Sequence, residues 1–255
     1  VSAQRPYCAD GEGDAGIGLS VVIPYRNEEP NLQPLYLELT SVLDLIDVCA
    51  EILFVDDAST DGGGSLIEAL STQDARIRSL RLSDHAGQSA ALEAGFRAAR
   101  GALVATLDAD RQNDPADLPS MLAALSDADC VCGIRVDRRD TRAKRFASKV
   151  ANRVRSAVLR DGVTDVGCSI RVMRSAQLNR IKLFRGGHRF LPALLRIEGA
   201  RIVEVPVRHR PRVAGRSNYT IARRLGAVWI DLLGVLWWSR RVDRYEVKEL
   251  SRPRA

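Results

Sequence analysis

The sequence has few cysteines and no regular framework of them. Its five, Cys8, Cys49, Cys130, Cys132 and Cys168, form no Cys-x-x-Cys and no cluster with histidine. An odd, scattered set argues against a disulfide framework and a structural zinc, and for a reducing compartment. Histidine is scarce as well, three in 255 residues, so chemistry built on an imidazole base has few candidates. No apolar run reaches the roughly 20 residues that a membrane-crossing helix needs. The N-terminus lacks an apolar h-region, so no secretory signal is expected, and polar, Gly-rich residues 1–18 read as a flexible tail. Lysine is nearly missing: 34 of the 38 basic residues are Arg, the side chain suited to forked phosphate contacts.

What is present is unevenly placed. Residues 1–132 carry a net charge of −14 and residues 133–255 a net +20. An arginine-rich solvated surface would explain the preference for Arg over Lys, but not the change of sign halfway. An acidic half that holds a cation and a basic half that meets anions accounts for both.

Apolar runs alternate with helical periods through the acidic half. "LSVVIPYRNE" (Leu19–Glu28) reads as a buried strand ended by Pro24, after which Leu32, Leu35, Leu39, Val42, Leu43 and Ile46 recur at helical spacing. "EILFVDDAS" (Glu51–Ser59) reads as a second strand, followed by a Gly62–Gly64 turn and a helix. "IRSLRLSD" is a third strand, Gly87–Gly101 an Ala-rich helix closed by glycine, and "ALVATLDAD" a fourth strand. This alternation predicts an α/β fold with a parallel sheet and right-handed crossovers. Ligands in such sheets sit beyond the carboxyl ends of the strands, where Glu28, Asp56, Asp57, Asp108 and Asp110 all fall. In an extended segment Asp108 and Asp110 share a face. Two like charges so close call for a divalent cation between them. Asp114, ahead of Pro115, is expected to cap the next helix.

After the fifth strand, "ADCVCGIR", the pattern changes. Ala143–Leu159 reads as an amphipathic helix whose stripe is Phe146, Ala147, Val150, Ala151, Val154 and Val158. "DVGCSIRVMR" follows, then a helix through "HRFLPALLR" and the strand "ARIVEVPVRHRPR". Leu225 to Trp238 is the most apolar stretch, interrupted by Asp231, with Arg pairs on both sides and three Trp in the helix. Such a segment is expected to lie in the interface of an anionic bilayer, a buried core or subunit-contact helix being the competing reading.

"VVIPYRNEEPNL", "EILFVDDASTDGG", "TLDADRQNDP", "GIR", "DVGCSIRVMR" and "EVPVRHRPRVAGRSNY" stand in the order and spacing of glycosyltransferase family 2. More narrowly, they resemble its branch of dolichyl-phosphate mannose synthases and bacterial polyprenyl-phosphate glycosyltransferases. The resemblance implies a GT-A (Rossmann-like) nucleotide-sugar-binding sheet over residues 19–222, with 223–255 as a membrane-interface or association helix and tail. It implies transfer of a sugar, usually with inversion, from a UDP- or GDP-sugar donor to undecaprenyl or dolichyl phosphate. A Mg²⁺ or Mn²⁺ cofactor is implied with it, held by Asp108, Asp110 and Gln112. On the donor side the resemblance implies Pro24, Arg26 and Glu28 in the first loop, Phe54 in the base-pocket wall, with plain strand core as the competing reading, and Asp56 on a base N–H. Ala109 lies between the two acids, Arg212 would clamp the diphosphate, and Asp57 would be structural or face the ribose. Relatives often have Tyr at the place of Arg26, and Lys at the place of Asn218, whose charge Arg216 would replace. On the acceptor side Arg135, Arg145 and Ser148 would orient the lipid phosphate, Lys144 standing in for Arg145 if the register slips by one. Asp110, Arg135 and Asp165 are thus the expected catalytic set. A lipid phosphate is already ionised, so no histidine base is required. The protein is expected on the cytoplasmic face of the membrane, peripherally bound, with self-association left open.

Two other readings compete. A family 2 enzyme acting on a sugar hydroxyl would need a base, and the Gln-x-x-Arg-Trp motif of processive relatives is absent. A nucleic-acid binder would use the +20 half, but no binding motif accompanies the charge and few aromatics interleave it.

Overall fold

The first two strands, β1 (Leu19–Tyr25) and β2 (Ala50–Asp56), are almost wholly buried along their length. Both faces are covered, and that is why they read as unbroken apolar runs. The computed structural model describes residues 16–136, 153, 155–159, 161–211 and 221–242. Five further strands complete the sheet: β3 (Ile77–Arg81), β4 (Leu103–Thr106), β5 (Cys130–Arg135), β6 (Arg171–Arg174) and β7 (Ile202–Val207). Their order is β3-β2-β1-β4-β6-β5-β7. The helices are α1 (Glu29–Leu43), α2 (Gly63–Ser71), α3 (Gln88–Ala98), α4 (Leu118–Ala123), α5 (Ser175–Leu178), α6 (Leu191–Ile197) and α7 (Ile221–Ser239).

Alternation along the strands sorts the core into two layers. Val21, Ile23, Ile52 and Phe54 face α1, α2 and α4 through Leu32, Leu35, Ile67 and Leu118. Val22, Leu53, Val55 and Val104 face α3, α6 and α7 through Leu92, Leu191, Leu195, Leu232 and Val235.

Three expectations are corrected here. The sheet is mixed, because β6 runs antiparallel to both β4 and β5. This strand has only four residues and opens on a charge, so no periodicity announced it. Arg171 is buried nonetheless, donating to the His188 carbonyl at 3.3 Å and the Val166 carbonyl at 3.0 Å. Pro24 does not end β1 but lies inside it, in register with Val55. Val22 O accepts from Leu107 N and Tyr25 O from Asp57 N, so the ring nitrogen of Pro24 faces the β4 side, where β4 has already left the sheet. No ladder bond is lost. Finally, Cys49 is disulfide-bonded, its partner outside the described residues, while Cys130, Cys132 and Cys168 are free thiols. Cys49 O accepts from Gly18 N at 2.9 Å, just ahead of β1.

The chain winds from β1 through β2 to β3 on one side, then crosses to place β4 on the other side of β1. That reversal opens a crevice beyond the carboxyl ends of β1 and β4. Because β5 and β7 are parallel to each other and β6 is antiparallel to β4 and β5, Arg135 and Val207 end on this same edge.

Candidate active site

Among the described residues three non-glycines hold positive φ: Asn27 (54°), Ala58 (53°) and Arg111 (59°). They follow β1, β2 and β4, all on the crevice edge, and each costs on the order of 1 kcal/mol. Cross-links hold them there. Asn27 N donates to Ser59 Oγ at 3.0 Å and Thr60 N to Asn27 Oδ1 at 2.8 Å.

Asp56 closes β2 at 1% exposure, with Oδ1 accepting from Ser59 N at 2.8 Å. Its Oδ2 has no hydrogen-bond partner among the described residues, and Arg81 Nε stands 3.6 Å off, too far to serve. This buried oxygen is paired with Arg81 by charge but accepts no hydrogen bond, so it keeps the capacity to take one. The Tyr25 hydroxyl nearby is likewise without a partner, and its phenol is pushed up by burial and by the Asp56 charge. Of the two readings of Phe54 the burial favours strand core over pocket wall: it has no exposed surface and packs edge-on to Tyr25 at 6.4 Å. Asp57 is structural. Its carboxylate accepts from Ala86 N and Gly87 N, tying the loop after β2 to the start of α3. Glu28 precedes α1 and accepts from Asn31 Nδ2 at 2.6 Å, with half-buried Arg26 two residues before it.

Strand β4 ends at Thr106, so Asp108 lies in the loop that follows and Asp110 in a turn, neither on an extended strand. Asp110, 7% exposed, accepts from Gln112 N at 3.1 Å. Asp108 accepts from Gln88 Nε2 at 2.8 Å. The Ala109 side chain is buried in the core, which leaves only its backbone to meet a ligand. Among the described residues no group of three His, Cys, Asp or Glu forms a metal cage. Two hard carboxylates beyond β4 instead suit an ion completed by phosphate oxygens, the arrangement Mg²⁺ favours. Asp114 caps the turn after it, accepting from Ala116 N at 3.0 Å, as its place before Pro115 foretold.

The segment after β7 docks on this turn. Arg210 N donates to Gln112 O at 2.8 Å, His209 bridges Asn113, and Arg208 N donates to Asp117 Oδ2 at 2.8 Å. Glu38 on α1 accepts from Arg111 and, at 2.7 Å, from Arg210, which also reaches Asp114 at 2.8 Å. Burial alone would raise the Glu38 pKa, but the two arginine hydrogen bonds outweigh it and hold the carboxyl below its ordinary range. No sequence pattern marked Glu38.

Across the edge, Arg135 and Asp165 meet. Arg135 donates from Nε to Asp165 Oδ2 at 2.8 Å and from Nη2 to Oδ1 at 2.7 Å, a forked pair with side chains 14% and 7% exposed. Glu204 on β7 accepts from Thr164 N and Asp165 N, fixing the loop. Gly167 leaves room for this fork: a Cβ there would stand 2.5 Å from Arg135 Nη2, and the guanidinium would have to shift. Burial pushes the neighbouring Cys168 thiol up to about 12, so it is no nucleophile. Arg145, Ser148, Lys144, Arg212, Arg216 and Asn218 lie outside the described residues.

Helix α7 buries Leu232 and Val235 and turns Trp229, Ile230, Leu233, Trp237 and Trp238 outward, each more than half exposed. Arg241 lies over the Trp237 ring at 5.2 Å. Among the described residues no helix is long and apolar enough to cross a membrane.

The pattern of Glycosyl transferase family 2 matches residues 20–181. Dodecaprenyl-phosphate galacturonate synthase of Rhizobium johnstonii is 34% identical over 230 residues, covering 87% of this chain and 67% of that protein. The fold is shared with glucosyl-3-phosphoglycerate synthase from Mycobacterium tuberculosis, solved with Mn²⁺, UDP and glucosyl-3-phosphoglycerate (TM-score 0.63, 18% identity, 91% of this chain and 82% of that one). It is shared also with a mannosyltransferase from Pyrobaculum calidifontis, solved with GDP-Man and Mn²⁺ (TM-score 0.58, 20% identity, 84% and 62%). The chain is a glycosyltransferase and belongs to glycosyl transferase family 2.

Proposed function

We propose that the chain moves a sugar from a nucleoside diphosphate to a polyprenyl phosphate. The observation that carries this reading is the meeting, on one sheet edge, of the acids at the ends of β2 and β4 with the Arg135–Asp165 pair at the end of β5. The name of the Rhizobium relative supports the acceptor class.

In this reading Asp56 takes a base N–H on the oxygen that accepts no hydrogen bond, and Asp108 and Asp110 would hold Mg²⁺ or Mn²⁺ with the donor's diphosphate. When bound, the ion offsets the charge that develops on the leaving diphosphate. Arg135, oriented by Asp165, steers the acceptor phosphate to the sugar's anomeric carbon. An acceptor oxygen forms the new bond as the bond to the diphosphate breaks, and no side chain has to take a proton. Residues 19–222 form the catalytic unit. The apolar face of α7, followed by Arg240 and Arg241, rests on the anionic cytoplasmic surface of the membrane.

The test is a donor screen, UDP- and GDP-sugars with Mn²⁺ and a short prenyl phosphate, reading release of nucleoside diphosphate. Release that requires both metal and prenyl phosphate is expected, and its loss in Asp110→Ala. Release with 3-phosphoglycerate or a free sugar in place of prenyl phosphate would reassign the acceptor and refute the reading.

A further inference from the structure

A carboxylate in a loop beyond the last strand pairing has rotors that nothing in the sheet restrains, yet Asp108 is held. The hold begins at Asp57, 4% exposed. Asp57 Oδ1 accepts from Ala86 N at 2.8 Å and Gly87 N at 3.0 Å, and Oδ2 accepts from Gly87 N at 3.0 Å with His85 Nδ1 at 2.7 Å. These bonds keep Gly87 at φ 92°, in the left-handed region that favours glycine, and so fix where α3 starts. The first helical residue is Gln88, whose Nε2 donates to Asp108 Oδ1 at 2.8 Å. Ser89 then locks the same turn from the other side, accepting from Gly186 N at 3.1 Å and His188 N at 3.2 Å.

We propose that Gln88 is a positioning residue for Asp108, its own root set by Asp57. The proposal rests on the reading of Asp108 as a metal ligand. A carboxamide suits the task because it donates a hydrogen bond without bringing positive charge to a site that must attract a cation. An Arg or Lys at position 88 would orient Asp108 and at the same time offset its charge. Outer partners of this kind typically set metal affinity by 10- to 100-fold. Gln88 comes from the Ala-rich segment that the sequence marked only as a helix, so nothing in its spacing linked it to Asp108.

The experiment uses the full chain with Gln88→Ala and Gln88→Leu. Mn²⁺ binding is followed by electron paramagnetic resonance with UDP and with GDP, beside thermal melting and nucleotide binding without metal. Both variants should bind Mn²⁺ about tenfold more weakly, with melting temperature and metal-free nucleotide binding unchanged. A merely structural glutamine would move the melting temperature and not the Mn²⁺ affinity. Variants that bind Mn²⁺ as wild type does would overturn the proposal and leave the metal reading standing. A wild-type chain that binds no Mn²⁺ with either nucleotide would overturn both.

Discussion

Substituting Asp165 by Asn separates the two tasks of the Arg135–Asp165 pair. The carboxylate accepts from Arg135 Nε at 2.8 Å, Nη2 at 2.7 Å and the backbone N at 3.2 Å. Asn keeps the shape but presents an amide donor to one arm of the guanidinium fork. Breaking a buried pair by removing one charge costs about 3–5 kcal/mol. The guanidinium keeps some solvent contact, 14% exposed, which places the loss near the lower end, about 3 kcal/mol. For a domain of this size that corresponds to a fall of roughly 6–12 °C in melting temperature. Melting followed by circular dichroism reads this loss, and turnover at a temperature where the variant stays folded reads the second task. Turnover should fall because Arg135 no longer has a fixed aim. Arg135→Met with Asp165→Leu is the control: with both charges gone, stability should return to within about 1–2 kcal/mol of wild type, while transfer stays lost. Asp165→Asn melting within about 2 °C of wild type, or turnover in the apolar double variant, would refute the argument.

Gly167→Ala should lower turnover more than stability, since its Cβ would press on Arg135 Nη2 from 2.5 Å; steady-state kinetics and melting together check this. Glu38 has its folded pKa lowered, so its contribution to stability is complete above the ordinary glutamate range and is lost as pH falls through the lowered value. Glu38→Gln should therefore melt earlier than wild type at pH 7 and show a smaller fall in stability on acidification, as pH-dependent denaturant titration would reveal. Replacing Trp237 and Trp238 by Ala should weaken sedimentation with anionic vesicles about tenfold or more, with turnover on a water-soluble short prenyl phosphate retained. Equal sedimentation would assign the exposed face of α7 to another role.

The sequence by itself determined where the acids lie, because each sits where a buried apolar run meets a polar turn, and that boundary is a local property of the chain. The parallel half of the sheet was legible for the same reason: β1 and β2 are covered on both faces, and continuous burial leaves a continuous apolar record. The capping role of Asp114 was equally local, fixed by the proline that follows it. Phe54 shows the limit of such records, since an apolar strand residue reads alike whether it lines a pocket or fills the core. Only the tertiary structure decided the partners. Arg135 with Asp165, Gln88 with Asp108, and Glu38 with Arg111 and Arg210 join residues between 20 and 172 positions apart. β6 likewise takes its antiparallel place between β4 and β5 only when the sheet assembles. Charge and periodicity say which face of a segment is buried, but the identity of the group across from it depends on which strands the crossovers bring side by side.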